Sequence, residues 1–271
     1  MGKRMLLITV VLLGVLVAGL FLANKAESLL FDTMLWVVVA SAALGFLLGA
    51  IRAKLKGREE IKDGIVVRHG VGAFLEHWGT ALGIFVLISS AILLGFLFIT
   101  GQVDTPEAAL FPLNLHFVGV VITLFGGFFF AADFLLSRNY SVLIPSPRDI
   151  IGGFFGKYFL RRKYPYEGKY LASQKAAFLA TATLGSIILI TGAIKIAGHV
   201  WAIQASVLGI VTFVHDVVAL LFILMVIVHI IMAVALPVHW PLLGSWLTGK
   251  ISEENVKEEH PIWYEELKKN E

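Results

Sequence analysis

Apolar and polar positions fall in long blocks along this chain rather than in short alternations. A helix needs about 20 apolar residues to cross about 30 Å of hydrocarbon. Six runs meet that length, at residues 5–23, 33–51, 79–100, 115–136, 176–197 and 210–236. The pattern predicts an all-α membrane protein. The first run follows Gly2-Lys3-Arg4, as the apolar stretch of a signal peptide would. Only residues 24–32 separate it from the second run, and they hold no clean small-x-small cleavage site. A retained hairpin of two spans is expected, with a cleaved signal peptide as the alternative.

Composition agrees with the pattern. The chain is 58% hydrophobic with a mean hydropathy of +0.85, too apolar for an ordinary soluble domain. It has no cysteine, which excludes disulfides, thiolate-held zinc and iron–sulfur ligation within this chain. Any redox centre must be held by other side chains. The net charge of +3 says little, but the placement of charge says more. Of the 22 Lys and Arg, all but Lys25 and Lys195 lie at the N-terminus or in residues 52–68, 138–175 and 250–269. The loops 101–114 and 198–209 contain none. With six spans, basic residues alternate correctly for both termini to lie in the cytoplasm.

These features suggest an organisation. Residues 1–62 form the hairpin and a polar linker, 63–250 a four-helix core, and 251–271 an amphiphilic tail. The loop 138–175 carries Pro145-Ser146-Pro147 and Arg161-Arg162-Lys163, so an ordered surface is expected there. The tail, with Trp263 and Tyr264 among many charges, reads either as an interfacial helix anchored by aromatics or as a docking surface.

Four of the eight histidines fall in or at the mouth of core spans. His215 and His229 share one span, fourteen residues apart. At roughly 100° per residue their rings leave the helix from nearly the same face, about 21 Å apart along the axis. Two histidines hydrogen-bonded between helices would explain the pair without a ligand. However, ionisable groups inside a span are costly and mark function by default. His77 enters the third span from the inner side and His116 enters the fourth from the outer side. By depth, His116 pairs with His215 and His77 with His229. An iron in a planar macrocycle takes two axial donors, and imidazoles from two helices of a bundle can supply them. Gly79, Gly83 and Gly119 follow these histidines and suit a flat cofactor, although glycine also serves helix packing in membranes. His69, His199, His239 and His260 are expected to be solvated or interfacial.

From about Arg68 onward the chain resembles the cytochrome b (gamma) subunit of membrane-bound respiratory formate dehydrogenases. The resemblance rests on His77-Trp78, on His116 at 39 residues beyond His77, and on Gly168-Lys169-Tyr170. It rests also on Gln174-Lys175, the His215/His229 pair and the tail His260-Pro261-Ile262-Trp263-Tyr264-Glu265. It implies a four-helix transmembrane cytochrome b bundle, here preceded by the two-span hairpin, in a bacterial or archaeal cytoplasmic membrane. It implies two haem b groups, one held by His77 and His229 near the cytoplasm and one by His116 and His215 near the outer face. The implied partners are an iron–sulfur (beta) subunit and a molybdopterin-containing catalytic (alpha) subunit, with no nucleic acid. Electrons would pass through the haems to a quinone, menaquinone or ubiquinone, bound near Lys169, Ser173, Gln174 and His229. Substrate oxidation would occur in another polypeptide. The chain departs from the family by having Leu171-Ala172-Ser173-Gln174 where the family has Asn-Ala-Gly-Gln. The alternatives are a cytochrome b serving a nickel–iron hydrogenase or thiosulfate-type oxidoreductase, and a haem-free anchor or transporter using the histidines as proton relays.

Overall fold

The computed structural model describes residues 2–55, 59–138, 140–157 and 159–269. Residues 56–58, part of the expected polar linker, lie outside the described residues. Among the described residues six helices are long and apolar enough to cross a membrane. They are α1 (Lys3–Lys25), α3 (Leu35–Leu55), α4 (Val71–Leu94), α5 (Leu110–Ser137), α6 (Ala172–Val200) and α7 (Ala205–Ala235), with a single turn, α2 (Leu30–Thr33), between the first two. The chain is an all-α membrane protein of six candidate spans. The main shift from expectation is at α4, which starts before residue 79 and stops at Leu94. Gly95 ends it in a left-handed backbone conformation, φ 78°. A tight hairpin follows, in which Phe96 and Ile99 exchange backbone hydrogen bonds.

The chain forms two compact units. The first comprises Met1–Leu55, Val71–Leu136 and Ile187–Leu220. In it α3 lies along α5 through a stripe of small residues. Ser41 donates its hydroxyl to the Val121 carbonyl at 2.7 Å. Further along, a Cβ at Gly45 or Gly49 would overlap the carbonyl oxygen of Phe125 or Phe129. Small residues four apart let two helix backbones approach where lipid offers no hydrophobic drive to do so. Polar clamps close both ends of this contact. Asn114 accepts from Leu30 N at 2.9 Å and donates to Ser28 O at 3.1 Å. At the other end Arg52 pairs with Glu76 and, at 3.2 Å, with Asp133. α1 packs on the same unit, with buried Ala23 among Val86, Leu115, Val118 and Ile122. Both hairpin helices are thus integral to this unit.

The second unit comprises Lys56–Gly70, Ser137–Ser186 and Leu221–Glu271. It contains a sheet that the apolar pattern does not signal. β1 (Ile61–Lys62), β2 (Ile65–Val67) and β3 (Lys250–Ser252) are antiparallel in that order. Asp63-Gly64, both with positive φ, makes the two-residue turn that matches the strand twist. The short helices α8 (Trp240–Thr248), α9 (Glu253–Glu259) and α10 (Pro261–Lys268) complete it. Val66, Leu171, Leu242, Ile251, Val256, Trp263 and Leu267 form its apolar core. The tail packs into this unit through its aromatic residue. Trp263 is only 2% exposed and donates its indole N–H to Glu59 at 3.0 Å.

Candidate functional site

His116 and His215 both belong to the first unit, and the same device holds each of them. His116 stands six residues into α5, and its Nδ1 is 2.9 Å from the Ser90 hydroxyl on α4. Ser90 also donates to the Leu87 carbonyl at 2.9 Å. On α7, the Nδ1 of His215 is 2.9 Å from the Thr191 hydroxyl of α6. Thr191 donates to the carbonyl of Ile187 at 2.7 Å, shared with Ile188 at 3.1 Å. A hydroxyl has one proton, and in each case the helix's own carbonyl takes it. With its proton on that carbonyl the hydroxyl accepts from the ring, an arrangement that puts hydrogen on Nδ1 and the lone pair on Nε2. A hydrogen bond from the non-ligating nitrogen is the usual support of a metal-binding imidazole, because it fixes the tautomer and the ring's direction. Gly192 lies beside the His215 ring, where a Cβ would come within 3.4 Å of Cε1.

The residues fit haem b on this observation. Among the described residues no three His, Asp or Glu gather as a bare ion would require. A haem asks the protein for only two axial donors, because the macrocycle supplies the rest. Two neutral imidazoles with defined Nε2 lone pairs, on separate helices, are such donors.

His77 belongs to the first unit and His229 to the second. His77 lies on α4, half-buried, with its ring edge-on to Trp78 at 5.2 Å. His229 is exposed on α7, six residues before the helix ends. Of the three glycines, Gly83 faces Thr123 of α5 and Gly119 faces Leu87 of α4. Gly79 looks toward Leu12 of α1. These are contacts of helix packing.

The residues expected near a quinone belong to the second unit. Gln174 Oε1 accepts from Leu171 N at 3.1 Å and from Arg68 at 3.2 Å. Lys169 pairs with Glu59, and its ammonium lies 5.7 Å from the Trp263 ring centre. Ser173 is half-buried in the first turn of α6. Leu171 is a core residue, 3% exposed.

Three histidines expected at the surface are buried instead, because each has found a partner. His239 lies 2.8 Å from the Met232 carbonyl through Nδ1. His69 stacks on Trp246 at 3.7 Å between ring centres. His260, fully buried, donates Nδ1–H to the Gly168 carbonyl at 2.7 Å. Burial, then the nearby Arg68 charge, lowers the His260 pKa to about 3, so the ring is neutral. His199 is the exposed one, and it pairs with Asp32 at 2.8 Å.

Ser90, Thr191 and Arg68 join these residues without any signal in the apolar pattern. Arg68 is 2% exposed and binds the Lys169 carbonyl at 2.7 Å and the Ser245 hydroxyl at 3.3 Å. Burial lowers its pKa to about 10, against the raising effect of Tyr170 and Glu59, so it stays charged at neutral pH. Ser90 and Thr191 were open to detection, since a hydroxyl inside an apolar span needs a partner.

No curated protein matches the chain. Residues 68–243, well over half of its length, match the prokaryotic cytochrome b561 family. The matched stretch includes all four histidines of the core spans and both hydroxyls that hold His116 and His215. A membrane protein with imidazoles so prepared, matched over this length, belongs to the prokaryotic cytochrome b561 family, whose members are membrane haem b proteins of electron transfer.

Proposed function

We propose that this chain is the membrane-anchoring dihaem cytochrome b subunit of a quinone-reducing respiratory dehydrogenase, of the formate dehydrogenase type. Haem b, when bound, carries one electron at a time. The chain's own residues supply ligation, orientation and a dry setting. His116 and His215 would hold the outer haem through Nε2, with Ser90 and Thr191 keeping their rings from turning. His77 and His229 would hold the inner haem, a pairing argued from their depth in the sequence. Basic residues favour the cytoplasm for both termini. An iron–sulfur partner would deliver electrons on the outer side, and a quinone, menaquinone or ubiquinone, would accept them on the inner side.

The observation that carries this reading is the duplicated hydroxyl anchor on His116 and His215. A histidine acting as a proton relay must exchange protons at both ring nitrogens. Here each Nδ1–H is committed to a hydroxyl already bound to its own helix, which suits a fixed ligand. Two measurements test the reading. Co-purification of the intact complex from native membranes should yield an iron–sulfur subunit and a molybdopterin-containing subunit. A hydrogenase large subunit in their place would reassign the complex while keeping the haem ligands. A reduced quinol analogue added to the oxidised protein should reduce its haem, and His229→Ala should abolish that reduction. Full reduction in that variant would refute the inner site.

A further inference from the structure

The basic loop between α5 and α6 contains a feature that electron transfer does not use. Residues Asp149–Gly156 form a wide helical turn in the second unit. Its inner side is made of glycine: a Cβ at Gly153 would overlap Ala172 Cβ and press on the Tyr164 ring. Ala172 is the first residue of the spanning helix α6. Asp149 adds a second tie, meeting Lys175 of α6 at 3.3 Å. Burial works to raise the Asp149 carboxyl, but hydrogen bonds from Ser146 and Tyr164 and the Lys175 charge outweigh it and hold its pKa low. The turn is thus fixed to the first turn of a membrane span, the level at which lipid headgroups lie.

Its other side is bare and apolar. Ile151 is 70% exposed, Phe155 50%, Phe159 69% and Leu160 60%. Phe155 and Phe159 pack on each other at 5.6 Å between ring centres, forming one aromatic ledge. Immediately after it the backbone turns at Arg161, φ 51°, and presents Arg161, Arg162 and Lys163, all exposed. Large apolar side chains at the mouth of a span, bordered at once by three cations, match a bilayer's layering of acyl chain below phosphate.

We infer that this ledge and its basic triplet form a binding site for anionic phospholipid, the four apolar side chains entering the acyl boundary and Arg161, Arg162 and Lys163 meeting the headgroup phosphates. The occupant is a lipid of the membrane the chain spans. A protein surface covering the same ledge would need acidic groups set to meet the triplet, whereas an anionic leaflet supplies both chemistries in the required order. The inference is independent of what the chain reduces.

The absence of cysteine makes the test clean, because Leu160→Cys gives one labelling position in the full chain. A benzophenone carried on that thiol is irradiated in native membranes and the adduct is identified by mass. The expected product is phospholipid. Anionic species should be enriched over zwitterionic ones relative to the membrane's own composition, by about fivefold for each cation engaged. Adding Arg161→Gln, Arg162→Gln and Lys163→Gln should return the ratio to that of the bulk membrane while lipid adducts persist. A protein adduct at Leu160→Cys, or no adduct, would overturn the site. An anionic enrichment unchanged by the triple substitution would overturn the role of the triplet.

Discussion

The two units of the molecule handle buried polar groups in different ways. The first unit makes several of its helix contacts with neutral groups: Ser41, Ser90 and Thr191 each donate to a main-chain carbonyl, and Asn114 clamps the chain near Leu30. At one end of the unit Arg52 meets Glu76 and Asp133, and elsewhere the exposed His199 meets Asp32. The second unit buries full charges. Arg68 is buried, Asp149 meets Lys175, and Glu167 caps Ala172 N at 2.7 Å while pairing with Lys157 at 3.5 Å. Burial raises the Glu167 pKa, partly offset by the Ala172 bond and the Lys157 charge. The contrast follows from the solvent. In hydrocarbon a neutral hydroxyl costs little once hydrogen-bonded, whereas an ion costs far more. A unit built around a small sheet and short helices can keep ions where several donors converge.

That comparison can be broken at its strongest point first. His215→Ala should remove one haem per chain, read as the lost fraction of the reduced absorption band. His116→Ala should match it, because both residues would serve the same iron. Unequal losses would separate the pair. Next in size is the seam of α3 on α5. Gly45→Leu and Gly49→Leu should each destabilise the first unit by about 1–3 kcal/mol, because backbone cannot yield as a side-chain tip can. Thermal unfolding in detergent should show the loss, and insensitivity would mean the stripe is not a close contact. Smaller again, Thr191→Val and Ser90→Ala should weaken haem retention by about 10–100-fold while leaving both imidazoles present. Competition with apo-myoglobin reads that change, and the double variant should lower retention further.

Near neutral pH the smallest effect is the titration of His260, which belongs to the second unit. Unfolded His260 titrates near 6.5, but folded it does so only at about 3. Because the folded pKa is depressed for a base, protons favour the unfolded state. The His260 contribution is complete above pH 6.5 and is lost progressively as pH falls from 6.5 toward 3, at about 1.4 kcal/mol per pH unit. Proteolysis around α10 should therefore accelerate on acidification. His260→Asn, which can still donate to the Gly168 carbonyl, should flatten that dependence. An equally steep acceleration in the variant would assign it to another group.

The spans were legible because a membrane helix writes itself as one long apolar block. The candidate ligands were legible because histidine is expensive there. The sheet was not, since its strands are two or three residues long and only Asp63-Gly64 signalled a turn. The burial of His260 was hidden for another reason. Its partner Gly168 lies 92 residues away, and no periodicity joins them. The glycines beside the histidines were legible as small residues, yet their neighbours Thr123 and Leu87 depend on how α4 and α5 pack. Ser90 and Thr191 stood in plain view, but their meaning required knowing which imidazole each one meets.

The central claim is that neutral, hydroxyl-anchored histidines hold haem b in this chain. A pyridine haemochrome assay on the purified full-length protein, paired with low-temperature EPR of the oxidised form, tests it most directly. The account predicts close to two b-type haems per polypeptide with the low-spin signals of bis-imidazole iron. A haem content near zero in carefully isolated membranes, or high-spin five-coordinate iron throughout, would contradict it.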